Sequence, residues 1–267
     1  MTNSRRVLVH PDAESLAASA AARFLTKVID LLDDTDSIDV CLTGGTTGIK
    51  VLAAIAANPA REGIDWSRVR FWWGDERYLP RGDADRNETQ AHEALLDALP
   101  VPPENLHPFP APGDHPSIEA AADAYAAELG DTVFDIIFLG VGPDGHVASL
   151  FPDHASVGET ERTVIAETDS PKPPPERLSL TLPVINASQR VWLVLSGADK
   201  AGALGLARRE RHVGARRRCA GPQAHRLLRR PGGRRGGARV AHRPGALLDG
   251  GRRGLSRVSP TTKRRRA

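Results

Sequence analysis

Phe134 to Pro152, FDIIFLGVGPDGHVASLFP, is the stretch whose reading decides the fold. Val133 to Leu139 is apolar and β-prone with Asp135 as its one interruption, the pattern of a strand covered on both faces. The strand runs into Gly140-Val-Gly-Pro-Asp-Gly145 and then His146. Gly140, Gly142 and Gly145 allow positive φ and a close approach of backbone to ligand that side chains forbid. The layout is that of an active-site loop; the alternative is a tight left-handed turn that a histidine happens to follow. The same glycines fit G-x-G-x-x-G, and Glu167, ending Val164-Ile165-Ala166, stands where a ribose-binding acid would. A dinucleotide fold needs a full crossover helix after the loop, however, and Pro152 stops any helix begun at His146 within two turns.

Upstream, strand and helix alternate. Arg5 to His10 reads as a short strand and Asp12 as an N-cap. Ala13 to Leu32 then places Leu16, Ala20, Phe24, Val28 and Leu31 on one helical face. Ser37 to Leu42 is a second strand, leading into Thr43-Gly-Gly-Thr-Thr-Gly48 and a helix over Ile49 to Ala57. A strand, a Gly/Thr turn and a helix start form an anion cradle, because unpaired N–H groups and the positive dipole end face the loop. Thr43, Gly44, Gly45, Thr46 and Thr47 are therefore read as a phosphate site, a ligand-free capping turn being the alternative. The spacing is not that of a nucleotide P-loop, although Lys50 is near.

A third strand, Val69 to Trp73, ends in Gly74-Asp-Glu-Arg-Tyr78. Charged residues at a strand end ordinarily mark a solvated loop. In open α/β sheets, however, ligands bind beyond the carboxyl ends of the strands, and three such ends now carry TGGTTG, GDER and GVGPDGH. Arg77 suits a phosphate, and Asp75 suits sugar hydroxyls or the orientation of a histidine. Helices follow over Asn87 to Leu99 and Ser117 to Leu129. After the central loop come a strand at Val164 to Glu167, a proline-rich turn at Pro171 to Pro175 and a strand at Arg177 to Leu182. A helical turn at Pro183 to Ala187, a strand at Arg190 to Leu195 and a helix from Asp199 to Leu204 complete the pattern. Lys200 falls in that helix's first turn, where a cation is unfavourable without a bound anion. His92, His107, His115 and His154 lack metal-ligand spacing and read as surface residues; no H-E-x-x-H and no G-x-S-x-G occurs. Neither a metal nor a cofactor is implied.

Taken in order, LTGGTTG, WWGDERYLP with DRNETQAHEALL, LGVGPDGHVASLFP and SLTLPVINASQRVWLVLSGADKAGAL resemble the 6-phosphogluconolactonases, from about Val7 to Leu204. The resemblance implies a Rossmann-like α/β fold, an open sheet with flanking helices of the glucosamine-6-phosphate deaminase and ribose-5-phosphate isomerase A type. It also implies hydrolysis of 6-phosphoglucono-δ-lactone to 6-phosphogluconate, the second step of the oxidative pentose phosphate pathway. The deaminase is the rival, but its DGH loop continues toward an asparagine, glutamate and proline rather than Ala148-Ser-Leu-Phe-Pro152. A δ-lactone is already a reactive ester, so an oriented water and one proton acceptor suffice. His146 is assigned as general base. Asp75 is expected to orient it or a substrate hydroxyl, Gly142, Asp144 and Gly145 to bind substrate, and backbone N–H groups of the 140–145 loop to stabilise the developing oxyanion. Arg77, Lys200 and the Thr43 to Thr47 turn are expected to hold the 6-phosphate.

Charge divides the 267 residues unevenly. Up to Leu206 there are 16 Lys and Arg against 31 Asp and Glu; Ala207 to Ala267 has 20 against 2. We therefore read 1–206 as the lactonase-like α/β domain and 207–267 as an Arg/Gly-rich tail. The tail is either a disordered basic arm for a polyanion or the product of a shifted frame in a GC-rich gene. Its 19 arginines against Lys263 alone favour the frameshift. A non-catalytic sugar-phosphate binder with a nucleic-acid-binding tail is the further alternative. Met1 to Pro11 lacks a long apolar core, no apolar run approaches a membrane span, and Cys41 and Cys219 make no disulfide framework. A soluble cytoplasmic protein is expected, its partner a phosphorylated sugar lactone.

Overall fold

The computed structural model describes residues 4–197, 200 and 245–251. Its framework is a seven-stranded, mostly parallel sheet flanked by helices. The strands are β1 (Ser4–His10), β2 (Ile38–Leu42), β3 (Val69–Trp73), β5 (Leu106–His107), β6 (Ile136–Gly140), β9 (Val191–Ser196) and β10 (Gly245–Gly251). They lie in the order β1-β10-β9-β6-β2-β3-β5. From β9 to β5 the pairings are parallel, whereas β10 runs antiparallel between β1 and β9. The helices are α1 (Ala13–Asp34), α2 (Gly45–Ala56), α3 (Asn87–Ala94), α4 (Ile118–Leu129) and α5 (Leu182–Ala187). A smaller antiparallel sheet, β4-β8-β7, joins β4 (Asp75–Arg77), β8 (Arg177–Leu180) and β7 (Val164–Glu167).

The apolar patterns account for the core. α1 starts where the Asp12 carboxylate accepts the Ser15 N–H at 2.7 Å, and it buries Leu16, Ala20, Phe24 and Val28, as their spacing requires. Phe24 packs on Phe138 of β6 with ring centroids 5.4 Å apart, and Trp192 of β9 meets Phe138 edge-on. β2 is buried at all five positions, as expected of a central parallel strand. Asp39, an acid within that strand, accepts two hydrogen bonds from Arg70 and one from Trp72 Nε1, which offsets its loss of hydration.

Several elements differ from expectation. The Gly/Thr turn is not a separate loop: α2 begins at Gly45, with Gly44 as N-cap, so Thr46 and Thr47 lie in the helix's first turn. The GDER acids are not solvated. Asp75 to Arg77 forms β4, because β8 arrives from a hundred residues downstream to pair with it, Asp75 opposite Ser179 and Arg77 opposite Arg177. The segment Asn87 to Leu99 is one short helix followed by a 3-10 turn at Leu96–Ala98. His107, expected at the surface, stacks on Trp72 at 3.9 Å and meets Glu128 at 2.7 Å. Within 207–267 the strand Gly245–Gly251 is described; the rest of that segment, with Cys219 and the helix expected at 199–204 apart from Lys200, lies outside the described residues.

Glu76 connects the small sheet to α3. It is fully buried and accepts backbone N–H groups from Arg77, Asn87 and Glu88 at 2.7–2.8 Å, with Arg86 Nε 3.9 Å away. It thus caps a helix whose N-cap residue, Arg86, makes no side-chain cap bond. Burial outweighs these partners and raises its pKa from 4.5 to about 7.

Two outcomes follow from this packing. Phe24→Ala is expected to lower the unfolding free energy by about 3–5 kcal/mol, measured by urea denaturation. Between pH 4.5 and about 7 the folded chain keeps a Glu76 proton that the unfolded chain has released, so this contribution to stability falls as pH rises through that window. In Glu76→Gln the dependence should flatten; equal slopes in the two proteins, from unfolding midpoints at several pH values, would refute the assignment.

Candidate active site

The sheet reverses its direction of growth between β2 and β6: from β2 the chain adds β3 and β5 on one side, then β6 and β9 on the other. A crevice at the carboxyl ends of the strands is where such folds bind ligands. Here Thr43 bridges it, its Oγ1 accepting the Gly140 N–H at 3.1 Å. At the end of β3, the Gly74 N–H donates to the Leu42 carbonyl at 2.9 Å. The three loops singled out in the sequence thus meet at one place.

Within the central loop, the Gly142 N–H donates to the His146 carbonyl at 2.9 Å and the Gly145 N–H to the Gly142 carbonyl at 3.0 Å. Gly145 has φ +93°, and a Cβ on Gly142 would lie 2.1 Å from the His146 ring. These two glycines are therefore required by the fold of the loop around His146. No helix follows His146. Ala148 instead takes φ +50°, an uncommon conformation for a residue with a side chain, and Ser149 is buried immediately after it.

His146 Nδ1 lies 2.6 Å from Asp144 Oδ1, and its ring packs on Phe151 at 4.8 Å. Because an ionised carboxylate only accepts, Nδ1 carries the proton and Nε2 keeps the lone pair. Burial is the largest influence on the imidazole and lowers its pKa below 6.5; Lys172 acts in the same direction, while Asp144 and Asp75 oppose. Burial raises the Asp144 carboxyl, but His146 and Lys172 outweigh it and hold it below the usual range.

Asp75 is not the residue that orients His146. Its Oδ2 accepts from Ser149 Oγ at 2.7 Å, and Asn87 Nδ2 donates to its backbone carbonyl at 2.8 Å and lies 3.4 Å from Oδ1. The buried carboxylate joins β4 to α3 and to the loop after His146, while Asp144, two residues from the ring, holds the imidazole. Nor are the glycine amides ready oxyanion donors, since the N–H groups of Gly140, Gly142 and Gly145 are all engaged within the protein.

The anion-binding candidates have mixed surroundings. Gly44 abuts α3: a Cβ there would lie 1.9 Å from Asn87 Oδ1. Gly45 has φ +77°, and Thr47 Oγ1 lies 2.9 Å from Ser196 Oγ. Arg77 Nη1 donates to the Asp85 carbonyl at 2.5 Å and lies 3.6 Å from the Asp85 carboxylate. Lys200 follows β9 at the same end of the sheet, its N–H donating to the Gly197 carbonyl at 3.2 Å.

Sequence reasoning missed two cations. Lys172 Nζ lies 3.5 Å from His146 Nδ1. Arg177 is buried opposite Arg77, and like charges directly opposite on paired strands repel; burial is the largest influence and lowers its pKa, Asp75 opposes it, Arg77 lowers it further and Glu76 opposes. Its guanidinium donates to the carbonyls of Lys172, Pro173 and Pro174. The available signal was two cations bracketing a proline run, which reads from sequence as a turn and no more. Phe151 also touches His154, which is not a plain surface residue: it lies 3.2 Å from Glu167 and lines a cavity of about 540 Å³ with Ser156 and Asp169. Glu167, the acid weighed for a ribose, accepts from Ser156 Oγ at 3.0 Å and from the Asp169 N–H at 3.1 Å.

The family model for glucosamine-6-phosphate isomerases/6-phosphogluconolactonase matches residues 11–224. A 6-phosphogluconolactonase from Streptomyces coelicolor is 51% identical over 220 residues, 78% of this chain and 84% of that protein. The crystal structure of a 6-phosphogluconolactonase from Thermotoga maritima superposes with a TM-score of 0.67 at 30% identity, covering 75% of this chain and 88% of the other. The fold is also that of a monomeric glucosamine-6-phosphate deaminase, with a TM-score of 0.63 at 19% identity over 78% of this chain and 88% of the other. With the strand-end loops, the switch-point crevice and these likenesses together, the chain belongs to the glucosamine-6-phosphate isomerase/6-phosphogluconolactonase family.

Proposed function

We propose that the chain hydrolyses 6-phosphoglucono-δ-lactone to 6-phosphogluconate in the oxidative pentose phosphate pathway, with His146 as general base. The observation that carries the mechanism is the half-buried imidazole whose Nδ1 is tied to Asp144 at 2.6 Å, which assigns the lone pair to Nε2. The 51% identity to a protein named 6-phosphogluconolactonase supports the lactonase branch of the family over the deaminase.

Nε2 takes a proton from water as the oxygen attacks the lactone carbonyl. The resulting imidazolium, stabilised by Asp144, returns that proton to the ring oxygen as the ester bond breaks, leaving the open-chain acid. Asp75, fixed by Ser149 and Asn87, is assigned as an acceptor for sugar hydroxyls. Arg77, Lys200 and the first turn of α2 with Thr43 to Thr47 receive the 6-phosphate, and Arg177 adds positive charge behind Arg77. The acidic excess of residues 1–206 would repel such a substrate, so these cations set the local field. No helix among the described residues is long and apolar enough to cross a membrane; the reading keeps the cytoplasmic setting.

Lactonase assays corrected for spontaneous hydrolysis test the proposal. His146→Asn should lose roughly 10²–10⁴-fold in rate, and Arg77→Ala should raise KM by about one to two orders of magnitude, the worth of a charged hydrogen bond. Since burial lowers the His146 pKa and the base works uncharged, the acid limb of kcat/KM should lie below pH 6.5. A folded, soluble protein that releases ammonia from glucosamine-6-phosphate and leaves the lactone untouched would sink the reading.

A further inference from the structure

We propose that Lys172 is a positioning residue of this site: the proline strap plants its ammonium at the Nδ1 edge of His146 so that the imidazole meets substrate uncharged. Its kinetic consequence rests on the lactonase reading; the placement does not.

The placement is built. Four of the five residues from Pro171 to Pro175 are proline, each with φ fixed by its ring. Both backbone groups of Lys172 are held: its N–H and carbonyl meet Ser170 Oγ at 3.3 and 2.9 Å, and the carbonyl also accepts from Arg177 at 3.2 Å. The strap closes where the Ser170 N–H donates to the Pro175 carbonyl at 3.0 Å. Arg177 is itself buried, so a guanidinium inside the protein braces the backbone that carries the lysine.

The position is informative because Lys172 and His146 cannot hydrogen bond at 3.5 Å while Nδ1–H is given to Asp144: both groups would be donors. What acts across the gap is charge. The charged groups around the ring are Asp144 from its own loop, Asp75 from β4 and Lys172 from the strap. The ring's aromatic neighbour, Phe151, is neutral, and His154 beyond it is engaged with Glu167. Two carboxylates favour an imidazolium; Lys172 is the cation set against them, and without it the ring would take up a proton at higher pH and lose its function as a base.

The test is an NMR titration of the His146 ring, assigned by its absence in His146→Asn, in the full-length protein and in Lys172→Met and Lys172→Arg. In Lys172→Met the His146 titration should move up by on the order of one pH unit, and the acid limb of kcat/KM should move with it; Lys172→Arg should stay near the parent. Lys172→Gln serves as a second neutral variant if the methionine protein fails to fold. A His146 titration unchanged in the neutral variants overturns the proposal even if lactonase activity is present. A shifted titration in a protein without lactonase activity would support Lys172's role and remove the lactonase reading instead.

Discussion

A single buried carboxylate, that of Asp75, ties the site to the fold. It stands at the start of β4 and takes a hydroxyl from Ser149 in the loop after His146, while Asn87 at the start of α3 holds its backbone carbonyl. A carboxyl group this enclosed is tolerated only when its oxygens are satisfied, which holds β4 to the loop after His146, while the bond to its backbone carbonyl holds β4 to α3. The requirement extends outward. Asn87 fills the space where Gly44 would carry a side chain, and its N–H is held by Glu76. The start of α2, the helix that carries Asn87 and the loop around His146 are thereby set by one polar knot rather than by apolar packing alone.

Much of this was legible in the sequence. Val69 to Trp73 and Val164 to Glu167 were readable because apolar runs bounded by turn residues report strands directly, and α1 because its spacing reports a face. The helix start at Gly45 was not, because glycines signal a turn whether or not a helix begins among them. β4 escaped notice for a different reason: two acids and an arginine have no strand character of their own, and the partner that makes them a strand lies far away in the chain. At the candidate site, the loop around His146 could be placed, but not which aspartate contacts the ring. Which carboxylate meets the ring depends on whether the loop turns back on itself, and that turn rests on backbone bonds at Gly142 and Gly145. Lys172 was hidden because a proline run states that the chain bends without stating what it bends toward.

The electrostatics show a division of labour. The described domain is rich in acids, yet the groups gathered at the crevice include Arg77, Lys172 and Arg177. Arg77 and Arg177 face each other across β4 and β8, an arrangement that isolated strands would avoid. Carboxylates already act on both cations: Asp85 lies beside Arg77, and Asp75 and Glu76 act on Arg177.

The position of β10 bears on how the molecule forms. Among the described residues β1 has no direct ladder to the parallel strands; it is joined to them through Gly245–Gly251. The edge of the sheet therefore cannot close until Gly245–Gly251 is in place, and closing it brings together residues more than two hundred positions apart, a contact of high order that slows folding. Until that strand docks, β9 presents an open edge and β1 lacks its β10 partner, two unpaired strands that invite pairing with other chains.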